Sequence, residues 1–369
     1  MKIGYSAWGF IGDGIEDSPD GGRLTRALFI EHLIKTNYEV IWLQQNRDID
    51  KNNEPLFDIN KSYDDDQKNT LCKINYNDKF PKLDVLFIEW RWKIHDRNTS
   101  VDISSKYYTP DYDRQLELLS YYSSNNTKII IWDKDEKIEK DDYKLFTFNV
   151  DNSIQILSPA VYPIKDNEYP RKTLLFPCDL DKIKNTKVNT EIRYLLGYVG
   201  SQYERDEQIY KYINPFSCHF PNNTIFAGNW LKYPELKKRN LVNFPRITFV
   251  DRVLPKDMGR IYNRCLASVL LCKKNYAEHC HITQRIHEVA ANGVIAIGLS
   301  EQKGIENFVD GSLIISDAYD LIEVIEYIYR KSINDRQILL DNNINKLEPF
   351  DIKNVMSEFN NILRCMNLK

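Results

Sequence analysis

A repeated unit governs what this chain can fold into: a short apolar run, a polar cluster directly after it, then a helical stretch. Runs at 1–8, 39–43, 84–88, 128–132 and 154–157 occupy the first half, and runs at 195–199, 224–227, 248–250, 266–271, 294–297 and 313–315 the second. Each gives way to charged, amide, glycine or other polar residues. Short apolar runs of this kind read as strands buried on both faces, and strands alternating with helices specify a parallel sheet covered on both sides. A chain of 369 residues exceeds the ~150 of an average domain, and 42% hydrophobic residues suffice for two cores. The expected fold class is α/β, with two α/β halves joined by a hinge. Residues 1–175 make the first domain, 176–350 the second, and 351–369 a terminal amphipathic helix crossing back to the first. Pro163, Pro170 and Pro177 among charged residues mark the hinge. Residues 50–79 read as an inserted loop or hairpin.

Composition excludes several classes. No run approaches the ~18 apolar residues of a membrane span, and residues 1–5 enter a strand directly instead of a leader. The seven cysteines are odd in number and scattered, without a C-x-x-C pair, which fits a reducing cytoplasm better than a disulfide framework. His279-Cys280-His281 with Cys265 and Cys272 lacks the spacing of a zinc site, so no metal is expected. The net charge of −3 carries no overall attraction to nucleic acid or membrane. Oligomeric state is not readable.

The sharpest local pattern is 281–298. Thr283 is placed to cap a helix whose first turn carries Gln284 and Arg285, and Gly293 to close it in the left-handed conformation. A short buried strand follows. The helix start, beside an arginine, suits a phosphate, and the Glu288 carboxylate one turn further in suits the hydroxyls of an attached ribose. An ordinary capped surface helix fits the same residues. Gly200 with Arg205, after the run at 195–199, can converge on the same side of the second sheet. Arginine binds phosphate through paired N–H donors, so Arg205 and Arg285 are the expected diphosphate ligands. Gly228-Asn229-Trp230 suits a nucleobase edge, with Asn229 as the amide.

In the first half, the glycine- and acid-rich loop 9–23 leaves the first strand where open α/β sheets bind ligands. Gly21 and Gly22 permit close backbone approach, Arg23 brings charge to a helix start, and Asp20 is a candidate acid, with Asp13 and Asp17 behind it. Glu89-Trp90-Arg91-Trp92 sets a carboxylate and a guanidinium between two indoles. Such a group forms either a sugar-stacking floor or an ion pair under aromatic cover.

Two tandem α/β domains, with a ribose-type glutamate ahead of a glycine-bounded strand, resemble the GT-B glycosyltransferases, which implies two Rossmann-like domains facing across a cleft. Glu288 with Ala290-Ala291-Asn292-Gly293-Val294-Ile295-Ala296-Ile297 is similar to that fold's Glu-x-x-Ala-x-Gly-x-Pro-Val-Ile element, which implies that Glu288 binds ribose. Tyr198-Val199-Gly200-Ser201 with Arg205 resembles its glycine loop and basic residue, and Phe308-Val309-Asp310-Gly311 the turn that follows. Two features depart from the pattern. The acid expected seven residues before the glutamate is His281, and the proline before the strand's valine is missing. Residues 17–23, 89–92 and 281–285 also resemble elements of glycosyltransferases encoded by large bacteriophages, some of which modify hydroxymethylated pyrimidines in DNA.

The resemblance implies transfer of a sugar from a nucleotide-diphosphate donor, UDP type favoured, to an acceptor hydroxyl. The donor is a co-substrate, and no cofactor is expected. Arg205, Arg285 and the helix start would stabilise the departing diphosphate, while Asp20 or Glu89 would take the acceptor's proton if the reaction inverts. Asp17, Trp90 and Arg91 would contact the acceptor, for which DNA is one candidate. Residues 1–178 hold 24 Lys and Arg against 30 Asp and Glu, and residues 179–369 hold 26 against 23, so neither half has the marked basic balance of a phosphate-backbone binder. A glycan or small-molecule acceptor, and a non-catalytic nucleotide- or sugar-binding module, fit the same residues.

Overall fold

The computed structural model describes residues 1–7, 23–43, 73–77, 79–93, 111–146, 153–166, 168–253 and 257–368. Two compact units emerge. The first comprises Met1–Pro159, Pro163–Pro177 and Ile352–Lys369, and the second Ala160–Tyr162 and Cys178–Asp351.

The first unit is built on a parallel sheet of β1 (Lys2–Ser6), β2 (Glu39–Trp42), β3 (Asn75–Tyr76), β4 (Val85–Glu89), β5 (Lys128–Trp132), β6 (Ile154–Ser158) and β7 (Arg171–Thr173). Its spatial order is β3-β2-β1-β4-β5-β6-β7. Side chains alternate across a strand, so one apolar run feeds two cores. Tyr5, Trp42, Phe87 and Trp132 enter one core with Phe29 and Phe359. Leu86, Ile88, Ile129 and Ile131 enter the other with Trp90, Leu118 and Tyr122. The last helix, Ile352–Cys365, turns Ile352, Val355, Met356, Phe359, Ile362 and Leu363 inward, the helical spacing of an amphipathic face. Its Phe359 ring meets Phe29 edge-on at 5.2 Å. The proline-rich stretch is therefore not only a connector. Its middle pairs with β6 as β7, Ile156 opposite Arg171, because no proline falls inside those three positions to remove a ladder donor.

The second unit holds β8 (Tyr194–Val199), β9 (Thr224–Ala227), β10 (Ile247–Val250), β11 (Cys265–Val269), β12 (Ile295–Leu299) and β13 (Ile314–Ile315) in the order β10-β9-β8-β11-β12-β13, all parallel. Every residue of β11 and β12 is buried, as strands covered on both faces require. Helix Ala318–Arg330 is started by Asp317, whose side chain accepts the Tyr319 and Asp320 N–H groups at 2.7 and 3.0 Å. It packs Leu321, Ile325 and Ile328 inward. Among the described residues no helix is long and apolar enough to cross a membrane.

Candidate functional site

The strand order of the second sheet reverses between β8 and β11. Loops leaving two strands at such a reversal run in opposite directions and open a crevice at the carboxyl ends. Here the loops start at Gly200 and Leu270.

Arg205 and Arg285 meet at one atom. The Leu271 carbonyl accepts from Arg205 Nε at 3.4 Å and from Arg285 Nη1 at 3.3 Å. Arg205 Nη1 also donates to the Ser201 and Tyr203 carbonyls at 3.3 and 2.9 Å. Arg285 Nε donates to the Val199 carbonyl at 3.1 Å, and its guanidinium lies 4.5 Å above the Tyr198 ring. These bonds leave the Nη2 groups of both arginines without a hydrogen-bond partner among the described residues. Two cations held side by side by neutral carbonyls repel one another, and a polyanion spanning them relieves the repulsion.

Gly200 is required at its position. A Cβ there would strike Arg285 Nη2 and come within 3.0 Å of Tyr198 Oη, so only glycine lets the guanidinium lie against the loop. A Cβ on Gly228 would likewise strike the Gly200 carbonyl, and Trp230 Nε1 donates to that carbonyl at 2.8 Å. Asn229, between them, is half-buried.

The helix of this site is Arg285–Ala291, and Thr283 does not cap it. Gln284 occupies the cap position with no side-chain cap bond, and Thr283 contributes its carbonyl to the Ile286 N–H at 3.3 Å. His281, two residues before Thr283, is held elsewhere. It forms an antiparallel bridge to Ala160 and stacks on Tyr276 at 3.7 Å, 13° from parallel, and the helix starts one position further in than expected. Gly293, at φ +71°, follows the helix in the left-handed conformation, as expected.

Glu288 stands three residues after Arg285, half-buried. Burial pushes its carboxyl up to about 7, against the opposing pull of Arg285 and a hydrogen bond with Gln284. The chemistry here is a carboxyl poised near neutrality beside Arg285. His281 is buried and pushed down to about 3, by burial first and by the positive charge of Lys273 second. Its imidazole is therefore neutral at ordinary pH.

In the first unit the structure corrects three expectations. Glu89 is fully buried and both its oxygens are engaged: Oε1 accepts from Tyr5 Oη at 2.6 Å and Arg26 Nε at 2.9 Å, and Oε2 pairs with Arg26 Nη2 and Lys134 Nζ at 2.5 Å each. A carboxylate paired with two cations is a poor acceptor for a substrate proton. Trp90 is no surface platform, being 2% exposed against Phe146 at 5.8 Å. Arg91 is buried and donates to the Ala7 carbonyl at 2.5 Å and Ser6 Oγ at 2.7 Å, so its guanidinium is engaged within the protein. Asp17, Asp20, Gly21 and Gly22 lie outside the described residues, as does the side chain of Arg23, the first residue of helix Arg23–Lys35.

Some residues at these rims escaped sequence reasoning. Leu271 acts through its carbonyl, which no side-chain pattern reveals. Tyr198 lies inside a strand, where rim logic does not look. After β5, Asp133 is buried in an ion pair with Arg171 at 2.9 Å, while Asp135, two residues on, is half-buried. The polar cluster 133–135 was the available signal for that acid. Among the described residues no group of three His, Cys, Asp or Glu side chains is placed to hold a metal.

No protein-family model and no curated protein matches this chain. Solved structures do. T4 phage β-glucosyltransferase, in a study of substrate binding and a proposed catalytic mechanism, aligns at TM-score 0.61 and 12% identity over 100% of both chains. A structure of the DNA-modifying enzyme β-glucosyltransferase, determined with and without uridine diphosphoglucose, aligns at TM-score 0.58 and 13% identity over 100% of both. HepE of Anabaena, in complex with UDP-glucose, aligns at TM-score 0.60 and 10% identity over 99% of this chain and 100% of its own.

Proposed function

We propose that this chain, which has the GT-B glycosyltransferase fold, is a glycosyltransferase drawing on a nucleotide-diphosphate sugar of UDP type. The observation that carries the reading is the pair of arginines sharing the Leu271 carbonyl beside Gly200, with Glu288 one helical turn away. Arg205 and Arg285 take the diphosphate. As the bond from the anomeric carbon to the phosphate oxygen breaks, their preorganised positive charge stabilises the leaving group. Ionised Glu288 accepts hydrogen bonds from the ribose hydroxyls, and Gln284 holds the carboxylate from its own helix turn. Asn229 takes a base edge.

The proposed acceptor is the hydroxyl of a hydroxymethylated pyrimidine in DNA, in the cytoplasm of a phage-infected cell. Its support is the likeness to β-glucosyltransferases, one of them described as DNA-modifying. In an inverting transfer the acceptor oxygen attacks the anomeric carbon while a carboxylate removes its proton. Asp20 is assigned that role, with Asp135 the half-buried acid of the described rim, and Asp17 orients the acceptor.

The test is a donor screen read by mass spectrometry, with UDP-glucose and other UDP-sugars against hydroxymethylated and ordinary DNA. The expected result is one sugar residue added per modified base, with equal release of UDP. Nucleotide binding without transfer to any acceptor would leave a binding module, and no binding at all would remove the donor site.

A further inference from the structure

Two tyrosines flank the loop that follows β8, and they are unequal. Tyr262 Oη accepts the Val199 N–H at 3.2 Å. Tyr198 is 1% exposed, and its hydroxyl has no hydrogen-bond partner among the described residues. The ring itself is well held, with its face under the Arg285 guanidinium, Trp230 near-perpendicular to it at 6.0 Å and Phe226 tilted against it at 5.1 Å. Phenylalanine would fill that space equally well. A buried hydroxyl with no partner costs about 1–3 kcal/mol, and such groups in folded proteins call for an explanation.

The hydroxyl and Arg285 Nη2 share one corner, since a Cβ on Gly200 would crowd both. One is a cationic donor, the other a neutral one, and the described residues supply an acceptor to neither. That deficit has the chemistry of a phosphate oxygen.

We infer that Tyr198 is a donor-binding residue: its hydroxyl hydrogen-bonds the diphosphate next to Arg285, in the corner left open by Gly200. The inference rests on the proposed donor site and adds a ligand to it. One phosphate oxygen there would give Arg285 Nη2 and the hydroxyl the acceptor that both lack among the described residues.

Tyr198→Phe removes one oxygen and tests this by calorimetric titration of wild type and variant with UDP and with uridine, alongside thermal melts without ligand. The Kd for UDP should rise about tenfold, the Kd for uridine should change less than twofold, and the ligand-free Tm should hold or rise. A purely structural tyrosine gives another pattern, with UDP affinity unchanged or both ligands weakened equally, and either result overturns the inference. Gly200→Ala is the second variant. It fills the corner and should also weaken UDP selectively, and retention of full UDP affinity would count against the site's geometry. Wild type that binds neither ligand would overturn the donor site itself, an outcome distinct from failure of Tyr198 alone.

Discussion

Glu288 is the residue whose protonation should set the working range of the proposed donor site. Its carboxyl titrates at about 7 in the folded chain against an ordinary 4.5. Ionising it in the folded state therefore costs stability, a cost that begins as pH rises through the ordinary value and is complete above about 7. The proposed ribose contact needs the ionised form, so UDP affinity should increase as pH rises through about 7. Glu288→Gln should stabilise the ligand-free protein by about 1–2 kcal/mol at about pH 8, after allowance for partial exposure, and by little at about pH 5. The same change should weaken UDP about tenfold. Melts and titrations at both pH values check this, and equal Tm differences at both would contradict it. Arg205, Arg285, Gly200 and Glu288 were readable in sequence because glycine, arginine and glutamate carry their chemistry at short spacing. Glu89 was not, because its partners Arg26 and Lys134 come from other elements, and only the folded sheet brings them to the end of β4.

Elements explain how those residues are held. Asn240, on helix Pro234–Asn243, is fully buried and donates to Gln202 Oε1 at 3.0 Å and to the Trp230 carbonyl at 2.7 Å. Trp230 in turn donates to the Gly200 carbonyl, so this helix positions the loop that carries Arg205. Asn240→Leu strands two buried acceptors, which costs about 1–3 kcal/mol for each, and should lower both Tm and UDP affinity. A normal UDP Kd measured well below the melt would show that the loop holds its place unaided. Alternating apolar runs and polar clusters made most strands of both sheets readable. The Thr283 cap failed because the His281 stack and bridge are tertiary, and helix ends shift by a residue or two in such contexts. β7 was hidden by flanking prolines, although the three residues between them are free to pair.

At the scale of the whole molecule, each unit has its own core and its own buried charge, and the two should answer to different perturbations. Glu89→Ala leaves Arg26 and Lys134 buried without their shared carboxylate, and loss of one partner of a buried pair costs about 3–5 kcal/mol. Melting should shift while UDP affinity measured below the transition stays within twofold, and a UDP Kd that moves with it would place Glu89 in the donor site. In the second unit, His287 is buried and burial pushes it down to about 3, so its contribution to stability is present above the ordinary 6.5 and declines as pH falls below it. That loss reaches about 2 kcal/mol at about pH 5. His287→Phe should flatten the pH dependence of Tm between about pH 7 and 5, and an unchanged slope would remove the histidine from the account. Sequence could predict two α/β halves from the count and placement of runs. It could not say which rim residues turn into the core, since that depends on packing between elements far apart in the chain.

The central claim is that a nucleotide diphosphate docks where Arg205 and Arg285 meet at the Leu271 carbonyl, and a calorimetric titration of UDP into wild type and Arg285→Ala tests it most directly. Wild type should bind UDP, and the variant, keeping its fold by thermal melt, should bind it about fiftyfold more weakly or worse, in line with loss of a charged phosphate contact. Equal UDP affinity in the two proteins, or none in wild type, would contradict the claim.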